Sequence, residues 1–188
     1  MDLKELIFVL DDFVDTDTCT DLIDWFEHNQ HLQKDGPTHL GEDLSTKKCK
    51  ESTLEPDNIL SDKVREITIS AYKKWLDAGY GGPVDDLYIN GYTVKKYHKN
   101  DGWFAEHIDR VSGMCSYRIF ALLIYLNDVD QGGETEFRKQ STKVSAKRGR
   151  VLLFPCDFLF PHKGNIPISN DKYVVTMFIC FNPYHERV

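Results

Sequence analysis

Two histidines and one aspartate have the types and the spacing to hold a metal ion. His107 and Asp109 form a His-x-Asp pair, and in a β-strand side chains two residues apart point to the same face. A third candidate, His162, follows an apolar run at residues 151–155. Two histidines and one carboxylate are the ligand set of non-haem Fe(II) oxygenases, which leaves three coordination positions open. A hydrolase that binds zinc through the same three side chains is an alternative.

Lys172 is the second residue whose position could serve chemistry. It lies ten residues after His162 and begins the apolar run 173–178. A lysine before such a strand is commonly a surface group whose aliphatic stem covers apolar neighbours. Beside a metal ion, its ammonium would instead pair with the far carboxylate of a dicarboxylic acid, because a partly desolvated cation needs an anionic partner.

The second half of the chain supplies strands that can position these side chains. Short apolar runs bounded by turn residues occur at 87–97, 118–127, 134–137, 143–146, 150–154 and 173–181. Many short strands at such spacing are typical of a sandwich or barrel. The pattern predicts a jelly roll.

The first half of the chain supplies a short strand and two helices. The apolar run 6–10 predicts the strand, and a helix capped by Asp15 or Asp17 follows it. We expect a second helix to begin at Ser61 and to end at Gly79. Packed against one outer face of the jelly roll, these helices give an α+β fold.

Length and charge limit the function classes. The 188 residues predict a single domain, with helical support over about residues 1–80 and jelly-roll strands over about 85–184. The net charge of -7 argues against a nucleic-acid-binding surface. A basic cluster interrupts this acidic background, and we interpret it as a charged edge strand. Its members are Arg138, Lys139, Lys143, Lys147, Arg148 and Arg150.

Cysteine spacing and hydropathy indicate a compartment. The five cysteines are widely spaced, so neither a disulfide framework nor a CxxC zinc site is encoded. The apolar run at 6–10 is too short for a signal-peptide core, and no stretch reaches the roughly 18 apolar residues of a membrane helix. These features predict a cytoplasmic protein without a membrane partner. They leave the oligomeric state open.

Several sequence blocks, in one order, resemble a known family. From Tyr92 to Tyr184 the chain resembles the prolyl 4-hydroxylase-like 2-oxoglutarate/Fe(II) dioxygenases, including the catalytic domains of collagen and hypoxia-sensing prolyl hydroxylases. The resemblance implies a double-stranded β-helix with iron at its open mouth and helices buttressing the sheet. The blocks are His107-x-Asp109, Tyr125-Leu126-Asn127, Gly132-Gly133-Glu134-Thr135-Glu136-Phe137, Gly149-Arg150-Val151-Leu152-Leu153-Phe154, His162-Lys163-Gly164 and Lys172-Tyr173.

The resemblance implies roles for single residues. Lys172 and Thr176 match the groups that hold the distal carboxylate of 2-oxoglutarate, and Tyr97 and Tyr125 resemble tyrosines that line the cosubstrate pocket. Packing in the core is the alternative role of both tyrosines. Phe104 stands where many relatives carry a tyrosine near the iron. The implied iron ligands are His107, Asp109 and His162.

The resemblance also implies a reaction. Fe(II), 2-oxoglutarate and O2 are used, succinate and CO2 are released, and an unactivated C–H bond is hydroxylated, at C4 of a proline in a peptide or protein. Ascorbate would serve as a reductant. The intact Asp109 favours hydroxylation over halogenation, because related halogenases have a small residue there. Hydroxylation of a free amino acid or another small molecule stays open, as does a jelly-roll binding module without catalysis.

Two polar segments suggest a lid. Residues 31–58 and 98–102 are too polar for a core and are broken by glycine or proline, and the second leads into the His-x-Asp segment. We expect both to border the mouth of the barrel and to become ordered when substrate binds.

Overall fold

The computed structural model describes residues 2–36, 45–81, 87–111 and 113–182. Two α-helices, α1 (Thr16–His28) and α2 (Ile59–Asp77), accompany twelve strands in the described residues. Short 3-10 segments occur at Leu3–Leu6, Gln30–Leu32 and Gly113–Cys115. The strands are β1 (Phe8–Leu10), β2 (Lys34–Asp35), β3 (Lys47–Lys48), β4 (Lys50–Thr53), β5 (Leu87–Tyr97), β6 (Trp103–His107), β7 (Arg118–Tyr125), β8 (Thr135–Phe137), β9 (Thr142–Val144), β10 (Val151–Pro155), β11 (His162–Gly164) and β12 (Lys172–Phe181).

Two antiparallel sheets form the jelly roll that the strand pattern predicts. The major sheet has seven strands in the order β1-β10-β7-β12-β5-β4-β2, and the minor sheet has five in the order β3-β6-β11-β8-β9. The long strands β5, β7 and β12 are neighbours at the centre of the major sheet. Both helices contribute to the hydrophobic cluster on that sheet's outer face, so the predicted α+β arrangement is confirmed.

The first helix begins where its capping residue requires. The Asp15 carboxylate accepts a hydrogen bond from the Thr18 backbone N–H at 2.7 Å, which satisfies a donor that the first turn leaves without a partner. Cys19, Leu22 and Phe26 then follow at helical spacing, and all three are fully buried. This apolar stripe fixes α1 against the sheet.

The second helix begins at Ile59, close to the predicted start, but its capping residue differs from the predicted one. Asn58, and not Ser61, is its N-cap, since the Asn58 side chain accepts from the Leu60 N–H at 2.9 Å. The Ser61 hydroxyl instead donates to the Glu55 carbonyl at 2.6 Å. The helix ends at Asp77, and Gly79 follows with a φ of 80° as expected for a helix terminator.

The central strand β12 separates two cores by the alternation of its side chains. Val175, Met177 and Ile179 point to the helices, whereas Val174 and Phe178 face the space between the sheets. Successive side chains in a strand point to opposite faces. One strand therefore supplies both the support for the helices and a wall of the interior.

The polar segment 31–58 contributes strands to both sheets. It contains the short strands β2, β3 and β4, and β4 extends the major sheet by pairing with β5. Strands of two to four residues carry too little periodicity to be recognised in a sequence. Residues 37–44 of the proposed lid lie outside the described residues.

The basic cluster contributes one residue, Lys143, to a charged sheet edge of the predicted kind. Strand β9 is the last strand of the minor sheet, and Lys143 is 60% exposed on it. Arg150 is the exception, because it is buried and its guanidinium bonds the Asp11 carboxylate at 2.5 Å. In the described part of the chain, the helices are too short or too polar to cross a membrane.

Gly149 joins the N-terminal segment to the jelly roll. Its carbonyl accepts from the N–H groups of Phe13 and Val14 at 2.9 and 3.0 Å, and its own N–H donates to the Tyr125 carbonyl at 2.9 Å. Its φ of 76° lies in the left-handed region. A Cβ at this position would collide with the Val14 carbonyl oxygen, so the close approach requires glycine.

We expect Gly149→Ala to lower the free energy of unfolding more than Gly79→Ala. Both sites have a positive φ, which costs an alanine about 1–2 kcal/mol. Only Gly149 adds a collision, because nothing lies within 4 Å of a Cβ at Gly79, and overpacking costs a further 1–3 kcal/mol or so. Urea unfolding of both variants measures the difference. Equal losses would mean that the Val14 carbonyl moves away without cost.

Candidate functional site

Three side chains converge where the minor sheet meets the segment after β6. His107 ends β6, His162 begins β11, and the two residues are direct partners in the antiparallel pair. Asp109 lies two residues beyond the strand end. Its carboxylate oxygens are 3.5 Å from Nε2 of His107 and 3.7 Å from Nε2 of His162. The ligand atoms all lie within 4.8 Å of one another, so one ion could contact all three after small adjustments.

Hydrogen bonds orient both imidazoles. Nδ1 of His107 is 2.8 Å from the Ala105 carbonyl oxygen, and Nδ1 of His162 is 3.1 Å from that of Phe160. A carbonyl only accepts, so each Nδ1 carries the proton and donates. Each Nε2 then keeps its lone pair and faces the cluster. The backbone thus selects the tautomer that binds a metal.

Aromatic rings surround the histidines. Phe104 stacks on His107 with 3.6 Å between ring centroids, and Phe154 meets His162 edge-on at 4.6 Å. Burial lowers the pKa of His162 to about 4, and the neighbouring charge of His107 adds to the shift. His162 is therefore neutral at physiological pH, as a metal ligand must be.

Asp109 stays ionised although it is enclosed. Burial by itself would raise the pKa of its carboxyl, but the facing imidazole of His162 and the hydrogen bond and charge of His107 outweigh that effect. The pKa of Asp109 is held well below its ordinary value. The Asp109 backbone carbonyl accepts from the Arg118 guanidinium at 3.1 Å, and that guanidinium lies 3.7 Å from the centroid of the Phe178 ring.

A pocket opens beside the cluster, and Lys172 is the more buried of the two lysines that line it. Lys172 is 3% exposed, so it is not a surface group. Its ammonium donates to the Gly133 carbonyl at 2.7 Å and lies 5.4 Å from the ring centroids of both Tyr97 and Tyr125. Burial lowers the pKa of Lys172 to about 8. The pocket is lined by Lys95, Tyr97, Phe104, His107, Asp109, Leu123, Thr135, His162, Gly164, Lys172, Val174, Thr176 and Phe178.

Of the three other residues that the sequence analysis assigned to the cosubstrate pocket, two line the pocket and one lies behind it. Tyr97 and Thr176 line the pocket, and Thr176 shares a face of β12 with Lys172. Tyr125 is fully buried, and its hydroxyl donates to Thr135 Oγ1 at 2.7 Å. It contacts the site through its ring, which lies against Lys172, and through the hydrogen bond to Thr135, which lines the pocket.

Lys95 and Arg118 are site residues that the sequence analysis missed. Lys95 lies two residues before Tyr97 in β5, so period-two alternation alone would have placed it on the pocket face. Arg118 begins β7 and contacts the site through Asp109 and Phe178. In the sequence it is the first residue of the apolar run 118–127, where a charged residue at a strand end carries no comparable signal.

The segment 98–102 is bonded to neighbouring segments of the chain, and its role as a lid stays a prediction. It is a tight turn in which the Gly102 N–H donates to the His98 carbonyl at 2.7 Å. The Lys99 N–H donates to the Asp171 carboxylate at 2.8 Å, and the Asn100 N–H donates to the Pro167 carbonyl at 2.7 Å. The turn precedes β6, whereas His107 ends β6. Its polar residues bond local partners at the far end of the strand.

Part of the chain matches the model of a known protein family. Residues 92–180 match the family model of the 2OG-Fe(II) oxygenase superfamily, and this range holds all three residues of the cluster and Lys172. No curated protein matches the sequence significantly.

Solved structures share the fold at low sequence identity. The viral collagen prolyl hydroxylase of Paramecium Bursaria Chlorella virus-1, in its 2OG complex, aligns with a TM-score of 0.71 and 18% identity over 94% of this chain and 97% of that chain. A Pseudomonas putida prolyl-4-hydroxylase aligns with a TM-score of 0.72 and 15% identity over 94% and 93%. A Trichoplax adhaerens prolyl hydroxylase, in complex with a hypoxia inducible factor oxygen degradation domain peptide fragment, aligns with a TM-score of 0.71 and 17% identity over 95% and 87%. The likeness establishes the double-stranded β-helix fold.

Replacing either histidine of the cluster should abolish divalent metal binding. We expect His107→Ala and His162→Ala to weaken Mn(II) binding by more than about 100-fold, since loss of a mere supporting contact already costs 10–100-fold. Calorimetric titration of the metal-free proteins measures the affinity. His98→Ala is the matched control, because His98 is 47% exposed and faces Asp171. Metal affinity equal to that of the unsubstituted protein in both cluster variants would refute the assignment.

Proposed function

We propose that this chain, whose residues 92–180 match the family model of the 2OG-Fe(II) oxygenase superfamily, is a dioxygenase that hydroxylates C4 of a proline in a peptide or protein. Fe(II), 2-oxoglutarate and O2 are used, and succinate and CO2 are released. The observation that carries the proposal is the position of the buried Lys172 in the same pocket as the metal-binding cluster.

The donor set of the cluster fits Fe(II). His107 and His162 would supply neutral Nε2 atoms, and Asp109 would supply a carboxylate oxygen, which leaves open positions for the cosubstrate and O2. Bound iron supplies the oxidative chemistry of O2 and the 2-oxo acid. The protein keeps the two imidazoles in the binding tautomer through the Ala105 and Phe160 carbonyls.

The pocket also fits 2-oxoglutarate. The partners of the Lys172 ammonium are a carbonyl oxygen and two aromatic rings, all of which are neutral. A carboxylate is therefore the group that would balance this buried charge. Thr176 on the same face of β12 offers a hydroxyl to the same ligand. An apolar 2-oxo acid would leave the ammonium without a counter-ion, so the pocket selects a dicarboxylic acid.

Apolar side chains close and rim the site. Phe104 and Phe178 line the pocket and would keep water away from the reacting atoms. Three exposed apolar residues lie on the segments that lead out of Asp109 and into His162, and they offer a contact surface to a peptide. They are Val111 at 43%, Phe158 at 67% and Leu159 at 38% exposure.

The proposal of a prolyl substrate is supported by the fold that this chain shares with prolyl hydroxylases. The similar structures are prolyl hydroxylases, and the Trichoplax adhaerens protein holds a peptide. A fold can host other substrates, and a free amino acid is the competing class. Ascorbate is the proposed reductant of the iron. The cytoplasm is the proposed compartment, because all five cysteines are buried and free.

A turnover assay tests the proposed function. Protein loaded anaerobically with Fe(II) receives labelled 2-oxoglutarate and O2, with or without proline-rich peptides. Succinate release stimulated by a peptide, with 4-hydroxyproline in that peptide by mass spectrometry, is the expected result. Stimulation by free amino acids alone would overturn the peptide substrate, and no succinate under any condition would overturn the oxygenase activity.

Lys172→Met should weaken 2-oxoglutarate binding while leaving metal binding intact. Removing one partner of a buried charge pair costs about 3–5 kcal/mol, which is roughly two to four decades of affinity. The same variant should bind 2-oxovalerate, which lacks the distal carboxylate, as the unsubstituted protein does. Calorimetry on Zn(II)-loaded protein measures both ligands.

The control is Lys143→Met, because Lys143 is 60% exposed on β9 and far from the pocket wall formed by β12. It should change neither affinity. If Lys172→Met binds 2-oxoglutarate normally, the lysine has no part in the cosubstrate site.

A further inference from the structure

A second lysine enters the pocket from the neighbouring strand. Lys95 lies on β5 directly opposite Val174 of β12 on one side and Glu51 of β4 on the other. Its side chain lines the same pocket as Lys172 and Asp109. The next residue, Lys96, points to the opposite face and bonds Glu27 at 2.9 Å.

The ammonium of Lys95 has no matched anion. Among the residues that the structure describes, it makes neither a hydrogen bond nor an ion pair. The carboxylate of Glu51, the cross-strand neighbour of Lys95 on β4, already bonds the Lys47 ammonium at 2.6 Å. Burial and then the charge of Lys47 lower the pKa of Lys95 to about 8. The side chain of Lys95 is half-buried and lines the pocket, and a partly desolvated ammonium without a partner is costly, so the position favours an anionic ligand.

The two charges of the cosubstrate are matched by other groups of the site, and the charges of Arg118 and Glu134, which act on Asp109 and Lys172, cancel each other. Fe(II), the Asp109 carboxylate, the Lys172 ammonium and the dianion of 2-oxoglutarate together carry no net charge. Lys47 and Glu51 also cancel each other. Lys95 is left with one positive charge after the complete reaction centre has been assembled.

The strand register places Lys95 beside the β12 side chains that would bind the cosubstrate, and not among them. Those β12 side chains are Lys172, Val174 and Thr176. Lys95 lies next to them on β5, on the side toward β4. That flank also adjoins the metal cluster. The Lys47 ammonium lies 5.3 Å from the ring centroid of Phe104, and Phe104 stacks on His107.

We propose that Lys95 binds a carboxylate of the substrate, so that the site prefers substrates with an anionic group near the carbon to be hydroxylated. The inference rests on the proposed oxygenase function and names the substrate class more closely. The carboxylate can belong to an acidic residue beside the target proline or to the α-carboxylate of a free amino acid. The recognising chemistry is the same in both cases.

The test compares acids with their neutral isosteres in a binding experiment. Zn(II)- and 2-oxoglutarate-loaded protein is titrated by calorimetry with proline peptides that carry Glu or Gln beside the proline. L-Proline and L-prolinamide form the second pair. We expect an acid preference of about 10- to 100-fold in at least one pair, which is the usual range for a charge-assisted hydrogen bond, and the pair that shows it identifies the source.

Variants at Lys95 show whether this side chain causes the preference for acids. Lys95→Met should abolish it and leave 2-oxoglutarate affinity within about 2-fold, whereas Lys95→Arg should retain it because the charge is kept. Lys96→Met on the opposite face is the matched control and should keep the preference even if the loss of the Glu27 bond lowers its Tm. Thermal unfolding of all variants checks their fold.

Three outcomes overturn the inference. Lys95 is a cosubstrate residue if Lys95→Met weakens 2-oxoglutarate binding instead of acid preference. It has no role in recognition if Lys95→Met keeps the preference. If no proline compound binds, a panel of common amino acids and their amides replaces the two pairs. Failure of proline compounds alone counts against the proposed substrate, whereas no acid preference across the panel counts against Lys95.

Discussion

The antiparallel pairing of β6 with β11 is the contact on which the site depends. It sets His107 directly opposite His162, although the two residues are 55 positions apart in the sequence. Direct partners in an antiparallel pair point to the same face at short range. Asp109 then needs only to turn back from the end of β6 to meet both rings. The minor sheet therefore holds the metal ligands, and the major sheet faces them with the pocket wall.

The major sheet performs two tasks through one strand. The outward side chains of β12 pack into the helix-side core, and its inward side chains at 172, 174, 176 and 178 line the pocket. Because neighbouring side chains alternate, a slip of one residue in register would bury Lys172 among the helices and expose valines to the pocket. Pairing with long neighbours on both sides makes such a slip costly. The helices thus stabilise the site without touching a ligand.

Local pattern predicted much of this arrangement, and tertiary contacts decided the rest. The bounds of β5, the cap of α1 and the cluster of His107, Asp109 and His162 follow from alternation, capping chemistry and motif order. The start of α2 does not, because Asn58 and Ser61 are both good caps and only the Glu55 carbonyl near Ser61 decides between them. Strand β11 has three residues and exists through its pairing partners. Alternation along β5 places Lys95 on the same face as Tyr97, but it was not singled out because a lysine in a strand is ordinarily a surface group.

Desolvation lowers the pKa of a candidate metal ligand, His162, and of both pocket lysines. It lowers the pKa of His162 to about 4, which frees the imidazole lone pair for a metal. It also lowers the pKa of Lys172 and of Lys95 to about 8, which weakens their hold on a proton. An entering carboxylate reverses only the second effect, because a nearby negative charge raises the pKa of an ammonium. The fold therefore keeps the imidazole of His162 neutral at physiological pH, and the anions that the pocket binds restore the full charge of the two lysines.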